Sequence, residues 1–557
     1  MTPMVRIGLP VLLVFSAFCL MTAVPALAGE AAPGAPADID DRVPTDEELV
    51  SRGATIGDIL IRNENIFDLG DPREDNWLFR LANRLHIRTR RSTIANQLLF
   101  RTGDPYNRRL LDESERILRS NRYFHDARIR PVAFRGGRVD IEVLTRDVWT
   151  LRPGFSFTRV GGRNTTSLDF QETNFLGGGS AVRIARTSTF ERDTNSLEFA
   201  DEHLFRSRWR TGVLLSDSDD GRKRSFLLER PFYALDTRWT GGGSVIDDDR
   251  IDSLAAQGRV ASRFRTRVKF LRFHGGWSGG LSRGWVRRWT LGATRDETRF
   301  SALPGQAAPD AVPEDRILAY PWIGFELLED RFEEAKNRDQ IERTEDFFLG
   351  TRLGASLGYA SPGFSSDRDA LIFSASLGKG IDFGERWVLT FNGTADGRVE
   401  SGTARNTVVG GAARQYFRLA EKWLFFALLS ADRAIRLDLD RQLLLGGDNG
   451  LRGYPARYQA GDRRFLLTLE QRFYTPWYPF RLFRLGGAVF FDMGRAWGGD
   501  FRSVPDPGLL RDVGAGLRIG SARSGLGNVI HIDVAFPLDG DPSIDRVQLL
   551  VVTKQSF

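Results

Sequence analysis

The chain has one cysteine, Cys19, and so can form no internal disulfide. Beyond the N-terminal apolar stretch it has no run of about 18 apolar residues, the minimum for a helix that crosses a bilayer. The motif G-x-x-x-x-G-K-[ST] is absent, so no nucleotide site is indicated. The five histidines, His86, His125, His203, His274 and His531, lie too far apart to give a metal-binding spacing. No cofactor and no metal are expected. The net charge of +6 is carried largely by arginine. Those arginines alternate with apolar residues instead of forming a basic stripe, which argues against a nucleic-acid partner.

The N-terminus carries an export pattern. Arg6 precedes an apolar run from Ile7 to Leu20, and Pro25 and the small-residue site Ala26-Leu27-Ala28 come after it. This predicts a secretory signal peptide over residues 1–28. The mature chain would then hold no cysteine, in a compartment where disulfides are permitted. With no spanning helix after the signal, a closed β-barrel is the remaining way to cross a membrane with every backbone amide paired. A mean hydropathy of −0.29 suits a barrel that is apolar outside and polar inside.

Residues 29–51, rich in Ala, Pro and Asp, read as a flexible linker. Residues 52–148 read as an α+β domain in the order strand, helix, helix, strand, strand. Thr55 to Phe67 is the first strand. Ser92 or Thr93 caps a helix through Phe100, and Asn107 caps a second with Leu110, Leu111, Ile117 and Leu118 on one face. Two strands, Tyr123–Phe134 and Arg138–Val148, meet at Gly136-Gly137. Residues 68–90, with Trp77-Leu78-Phe79, stand inside this order as an insertion.

From Trp149 to Phe557 the pattern has period two. Val513, Ala515, Leu517 and Ile519 interleave with Asp512, Gly514, Gly516 and Arg518; Ile530, Ile532, Val534 and Phe536 interleave with His531, Asp533 and Ala535. A soluble β-sandwich also alternates. Short turns alternating with long polar loops, such as Leu303–Glu314 and Glu329–Glu345, favour a membrane barrel. Tyr320 and Trp322, then Tyr474, Trp477 and Tyr478, suit interfacial girdles. Between sixteen and twenty strand-like segments can be marked, and pattern alone does not settle the number.

Leu443 to Asp500 is the most informative stretch. Gly446-Gly447 and Gly450 through Gly453 form a glycine-rich connection that holds one arginine, Arg452. In the next strand Phe465, Leu467 and Leu469 face lipid, so Thr468, Glu470 and Arg472 face the lumen. In the strand after, Val489, Phe491 and Met493 face lipid, so Phe490 and Asp492 face the lumen. If the loop folds inward, Arg452 can pair with Glu470 and Asp492 and pin the loop inside. Ordinary lumenal charge on an ordinary loop is the plainer alternative.

At these residues the sequence resembles the BamA/TamA-type outer-membrane assembly proteins. Gly450-Leu451-Arg452-Gly453-Tyr454 is similar to the tip of that family's inward-folded sixth loop. Leu469-Glu470-Gln471-Arg472-Phe473 resembles the acidic strand after it, and Phe491-Asp492-Met493-Gly494 the F-x-D-x-G strand after that. Glu172 to Gly179 is similar to the family's N-x-x-G-x-G turn, and residues 52–148 look like one POTRA module. The resemblance covers nearly the whole mature chain. It implies an all-β transmembrane barrel of about sixteen antiparallel strands over 149–557, five of them after the loop, behind one POTRA-like domain.

Carried over residue by residue, Arg452 is the loop-tip arginine and Glu470 and Asp492 are its wall partners. A first strand near Thr150–Arg159, weakened by Pro153 and Gly154, meets a last strand near Asp545–Phe557 at a closing seam. Terminal Phe557 resembles the aromatic insertion signal. The resemblance further implies outer-membrane lipid and lipopolysaccharide around the barrel, unfolded clients or one secreted partner, and a periplasmic partner on the POTRA-like domain. It places residues 29–148 in the periplasm. A single such module departs from the several that BamA/TamA-type proteins carry. The competing class is catalytic: Gly276-Trp277-Ser278-Gly279-Gly280 matches G-x-S-x-G, but no helix comes after it to form an elbow. The expectation is a translocating or assembling barrel, not an enzyme; a dedicated two-partner secretion pore and a passive pore are the alternatives.

Overall fold

The structure is a computed structural model that describes residues 43–305, 312–384, 386–499, 507–524, 529–542 and 544–554. The signal-peptide reading, most of the linker and Phe557 lie outside those residues.

Helix α1 (Asp46–Ser51) occupies the end of the stretch read as linker, which corrects that reading there. Thr45 and Glu48 form a reciprocal capping box, at 3.3 Å from the Glu48 amide to the Thr45 hydroxyl and 3.0 Å in return. Leu49 is fully buried in the same apolar core as Ile56 and Val139, which ties the helix to the α+β region. Then come β1 (Thr55–Glu64), α2 (Trp77–Leu85), α3 (Arg91–Ala95), α4 (Arg108–Ser120), β2 (Phe124–Arg135) and β3 (Arg138–Asp147). The sheet order is β1-β3-β2, with β1 parallel and β2 antiparallel to β3. Asn107 caps α4 by accepting the Arg109 amide at 3.1 Å, and Leu111 and Leu118 bury its apolar face against the sheet.

Two expectations here change. The helix expected from Ser92 or Thr93 to Phe100 stops at Ala95, and its N-cap, Arg90, makes no side-chain cap bond. The Thr93 hydroxyl donates instead to the Gly177 carbonyl of the barrel, at 3.0 Å. The insertion at 68–90 is a buttress. Its helix α2, capped by Asn76, stacks Phe79 on Phe67 at 3.8 Å between ring centres. Trp149 and Leu482 of the barrel pack against the pair.

The rest of the described chain is a closed antiparallel barrel of twenty strands, from Leu151–Val160 to Gln548–Lys554. Twenty replaces the expected sixteen. Five strands come after the glycine-rich loop, starting at Arg463, so the excess lies among the fifteen before it. Short strands such as Asp193–Asp201, with Leu197 and Phe199 as their only large apolar residues, alternate too weakly to be counted from pattern. Phe155, Leu168, Ile184, Phe273, Leu291 and Val489 point outward and are more than half exposed. Polar partners such as Asp512, Arg518, His531 and Asp533 are buried inside. An uncovered apolar belt around a closed barrel is a lipid-facing surface. Among the described residues no helix is long and apolar enough to cross a membrane.

The barrel end that carries the α+β region is called the near end. The six tryptophans of the barrel that are most exposed, Trp239, Trp277, Trp289, Trp387, Trp423 and Trp477, all lie toward it. Tyr320 and Trp322 do not form a girdle. Trp322 is 8% exposed, donates to the Thr294 hydroxyl at 3.1 Å and lies beneath Arg272. Its neighbour Ile323 takes the outward position. Tyr474 also points inward. The loops at 303–315 and 330–350 flank one strand, Arg316–Glu329, and so stand at opposite ends; the second is at the near end, not on a common long-loop side.

Candidate functional site

The connection from 436 to 462 folds into the barrel. Its short strands Leu443–Leu445 and Gln459–Gly461 pair with each other. Across the far mouth, Arg398 holds Asp438 with two bonds of 2.7 Å, and Arg316 holds Asp440 at 2.9 and 3.0 Å. The Ala456 amide donates to the Gly161 carbonyl at 2.9 Å. The tip is pressed to the wall: a Cβ on Gly453 would stand 2.6 Å from that of Asp512, and Gly450 has φ +137° against Leu466. Leu451 and Tyr454 are fully buried. The Tyr454 hydroxyl donates to the Arg511 carbonyl at 2.7 Å.

Arg452 lies at the centre. Its Nε and Nη2 donate to the two oxygens of Asp492, at 2.6 and 3.0 Å, and its Nη1 donates to Glu470 Oε1 at 2.7 Å. The guanidinium also lies 3.4 Å from the centre of the Phe490 ring. Period-two parity puts Glu470, Phe490 and Asp492 on one inner surface. A bidentate arginine–carboxylate fork adds direction as well as strength. Asp533 stands 3.7 Å from Arg452 and pairs with Arg518, which is fully buried.

The second oxygen of Glu470 accepts Arg472 Nε at 2.9 Å. Arg472 Nη1 in turn donates to the Arg338 carbonyl at 2.8 Å. Arg338 belongs to the near-end loop at 330–350, a hairpin of Phe332–Ala335 with Glu345–Phe348. Asp339 accepts the Tyr416 hydroxyl at 3.1 Å, and Ile341 is buried beside Val529. The other side of the hairpin meets α4. Arg119 donates to Asp346 at 2.6 and 2.9 Å and to Glu334 at 2.7 Å. Burial disfavours the Arg119 charge, but its hydrogen bond to Asp346 and the charges of Asp346, Glu115 and Glu334 outweigh it and raise its pKa above the usual arginine value. Burial pushes Glu345 up to about 7. Between loop and hairpin lies a cavity of about 570 Å³ lined by Arg414, Arg452, Glu470, Arg472, Asp533 and Lys554.

Among the described residues the barrel closes between its last and first strands on a single register pair, Val551 with Arg159. The sparsest of the other barrel junctions have seven. Pro153 and Gly154 sit in the ladder to the second strand, opposite Phe170 and Asp169.

The turn after the second strand seats the α+β region: Gly177 accepts the Arg90 amide, and Asn174 donates to the Thr89 hydroxyl at 2.8 Å. Thus Arg452, Glu470 and Asp492 come together, whereas Pro153 and Gly154 lie elsewhere, at the seam. Ser278 lies inside the strand Arg259–Ser282, and its hydroxyl donates to the Arg287 carbonyl at 2.9 Å. His531 stands on a strand nearly opposite in the barrel. Among the described residues no cluster of His, Cys, Asp and Glu has a metal-binding arrangement. The hairpin and Arg119 carry no motif; alternating parity alone marks Arg472, Asp512 and Asp533 as inward.

No family model matches the chain, and no curated protein matches it. Among solved structures, the chain is similar to the crystal structure of BamA from Haemophilus ducreyi lacking POTRA domains 1–3, at 14% identity and TM-score 0.37, over 89% of this chain and 84% of that one. It is also similar to CdiB from Acinetobacter baumannii, at 13% and 0.41 over 91% and 74%. CdiB from Escherichia coli is similar at 13% and 0.44 over 90% and 77%.

Proposed function

We propose that this chain inserts or translocates other proteins at the bacterial outer membrane, with its α+β region acting as a POTRA-like module on the periplasmic side. The carrying observation is the seam, where Val551 and Arg159 are the only register pair among the described residues. A strand edge with unmet backbone donors and acceptors templates an incoming strand. The latch at Arg452 fits this role, because it holds the far mouth closed while the seam is free to part. On this reading the chain acts without a cofactor or a catalytic residue, and its partners are unfolded client proteins in a lipid and lipopolysaccharide surround. The test is the folding rate of an unfolded barrel client into liposomes with and without this chain. Acceleration supports the reading; equal rates sink it.

A dedicated secretion pore is the second reading. The near-end hairpin favours it, since it is fixed to α4 through Arg119 and to the wall through Arg472, where it would act as a displaceable stopper. Transfer of an unfolded substrate into the liposome interior, with no client barrel inserted, would select that reading.

A further inference from the structure

Two near-end turns share an unusual backbone. In 202–209, Phe205 has φ +53° and Arg206 φ +61°; in 475–482, Phe480 and Arg481 both have φ +55°. These are the only places among the described residues where two successive non-glycine residues take positive φ, and both are Phe-Arg. Left-handed backbone is costly for L residues, and more so for bulky ones. Such strain persists where the surrounding structure imposes it, and it marks places to look for function. Here it turns both rings away from the protein: Phe205 is 92% exposed and Phe480 65%. Burying neither ring is a loss to folding unless something else covers them.

Their placement is symmetric about the seam. The first turn joins the fourth and fifth strands counted from the seam in one direction. The second joins the fourth and fifth counted in the other. Neither Arg206 nor Arg481 forms a salt bridge among the described residues; Arg481 lies 5.4 Å over Tyr478 and its charge reaches Asp71, whereas nearby Arg484 lies 3.8 Å over Tyr478 and Arg230 3.9 Å over Trp239. Trp477, 65% exposed, stands in the second turn. An exposed aromatic ring beside a guanidinium that no carboxylate holds in a salt bridge, at the level where membrane-spanning strands end among tryptophans, matches a lipid headgroup layer: the ring enters the acyl boundary and the cation meets phosphate.

We propose that the Phe205-Arg206 and Phe480-Arg481 turns are paired docking points for phospholipid, with the rings in the near leaflet and the guanidinium groups on anionic headgroups, one on each side of the seam. The inference rests on the barrel spanning a membrane, and the experiment separates the two. In a Cys19→Ser background, single spin labels are placed by Phe205→Cys, Phe480→Cys and, at mid-belt, Leu291→Cys. Depth is read from oxygen against aqueous nickel-chelate accessibility in phosphatidylcholine vesicles with and without phosphatidylglycerol.

The expected result is a bilayer-interior label at 291 and interfacial labels at 205 and 480. Those two should move deeper when phosphatidylglycerol is added, and Arg206→Gln and Arg481→Gln should abolish that movement. A label at 291 in the bilayer with labels at 205 and 480 in water overturns the docking proposal alone. Interfacial labels that are indifferent to phosphatidylglycerol overturn its anionic half. An aqueous label at 291 overturns the membrane-spanning reading on which it rests. Because each variant carries one exposed-site cysteine, a variant that fails to fold at one turn leaves the other turn to decide.

Discussion

Arg452 and Arg472 divide the two oxygens of one carboxylate between them: Glu470 accepts the first at 2.7 Å and the second at 2.9 Å. Arg452 belongs to the loop that enters from the far mouth, and Arg472 holds the hairpin that enters from the near end. One wall residue therefore joins the two elements that close the lumen. From the hairpin, Asp346 and Glu334 continue to Arg119 on α4.

Replacing Arg452 by alanine takes the fork from buried Asp492 and leaves Glu470 with Arg472 alone. Breaking a buried pair in this way costs about 3–5 kcal/mol. The loop should leave the wall, and amide hydrogen exchange over 443–461 should accelerate by orders of magnitude, while the strands at the opposite side of the barrel keep their protection. Arg452→Lys should recover only part of the loss, because an ammonium cannot make the fork to Asp492.

Arg119→Ala removes three charge-assisted bonds between α4 and the hairpin. Hydrogen bonds to charged groups contribute about 1.5–3 kcal/mol each. The hairpin should loosen at the near end, and single-channel conductance in planar bilayers should rise above that of the unaltered chain. Equal conductance would mean that the wall contacts at Arg472 and Tyr416 hold the stopper by themselves.

Acid should weaken the seating of the α+β region. Burial, with the charges of Arg343, Arg523, Arg146 and Arg484, pushes His125 on β2 down to about 3. A histidine depressed below its unfolded value near 6.5 stabilises the folded arrangement fully above that value. The unfolded state then binds the extra proton, so this stability is lost as pH falls from about 6.5 toward about 3. Limited proteolysis of β2 should quicken over that window, and His125→Gln should remove the part of the change that belongs to this residue.

Much of the barrel wall is legible in the sequence. Alternation alone sends Glu470 and Asp492 inward, because a one-residue slip would turn the whole apolar set of each strand into the lumen. Glycines on both sides of Arg452 mark a connection that cannot be a strand. Aromatic residues near strand ends are legible only as a class; Trp322 faces the lumen because Ile323 takes the lipid side. The hairpin is not legible. Its Asp346 and the Arg119 that holds it are 227 residues apart, and polar loop residues have no period to trace. The strand count fails where short strands carry few apolar residues, as in Asp193–Asp201. The strained Phe-Arg turns are ordinary dipeptides in sequence, and only their backbone angles single them out.

On the proposed mechanism the seam must part for a client to pass. In a Cys19→Ser background, Arg159→Cys and Val551→Cys place thiols on the one register pair that closes the barrel among the described residues. Client insertion into liposomes is then measured with the disulfide formed and again after reduction. Insertion should stop when the seam is locked and return when it is reduced. Insertion at an unchanged rate with the seam locked would contradict the mechanism.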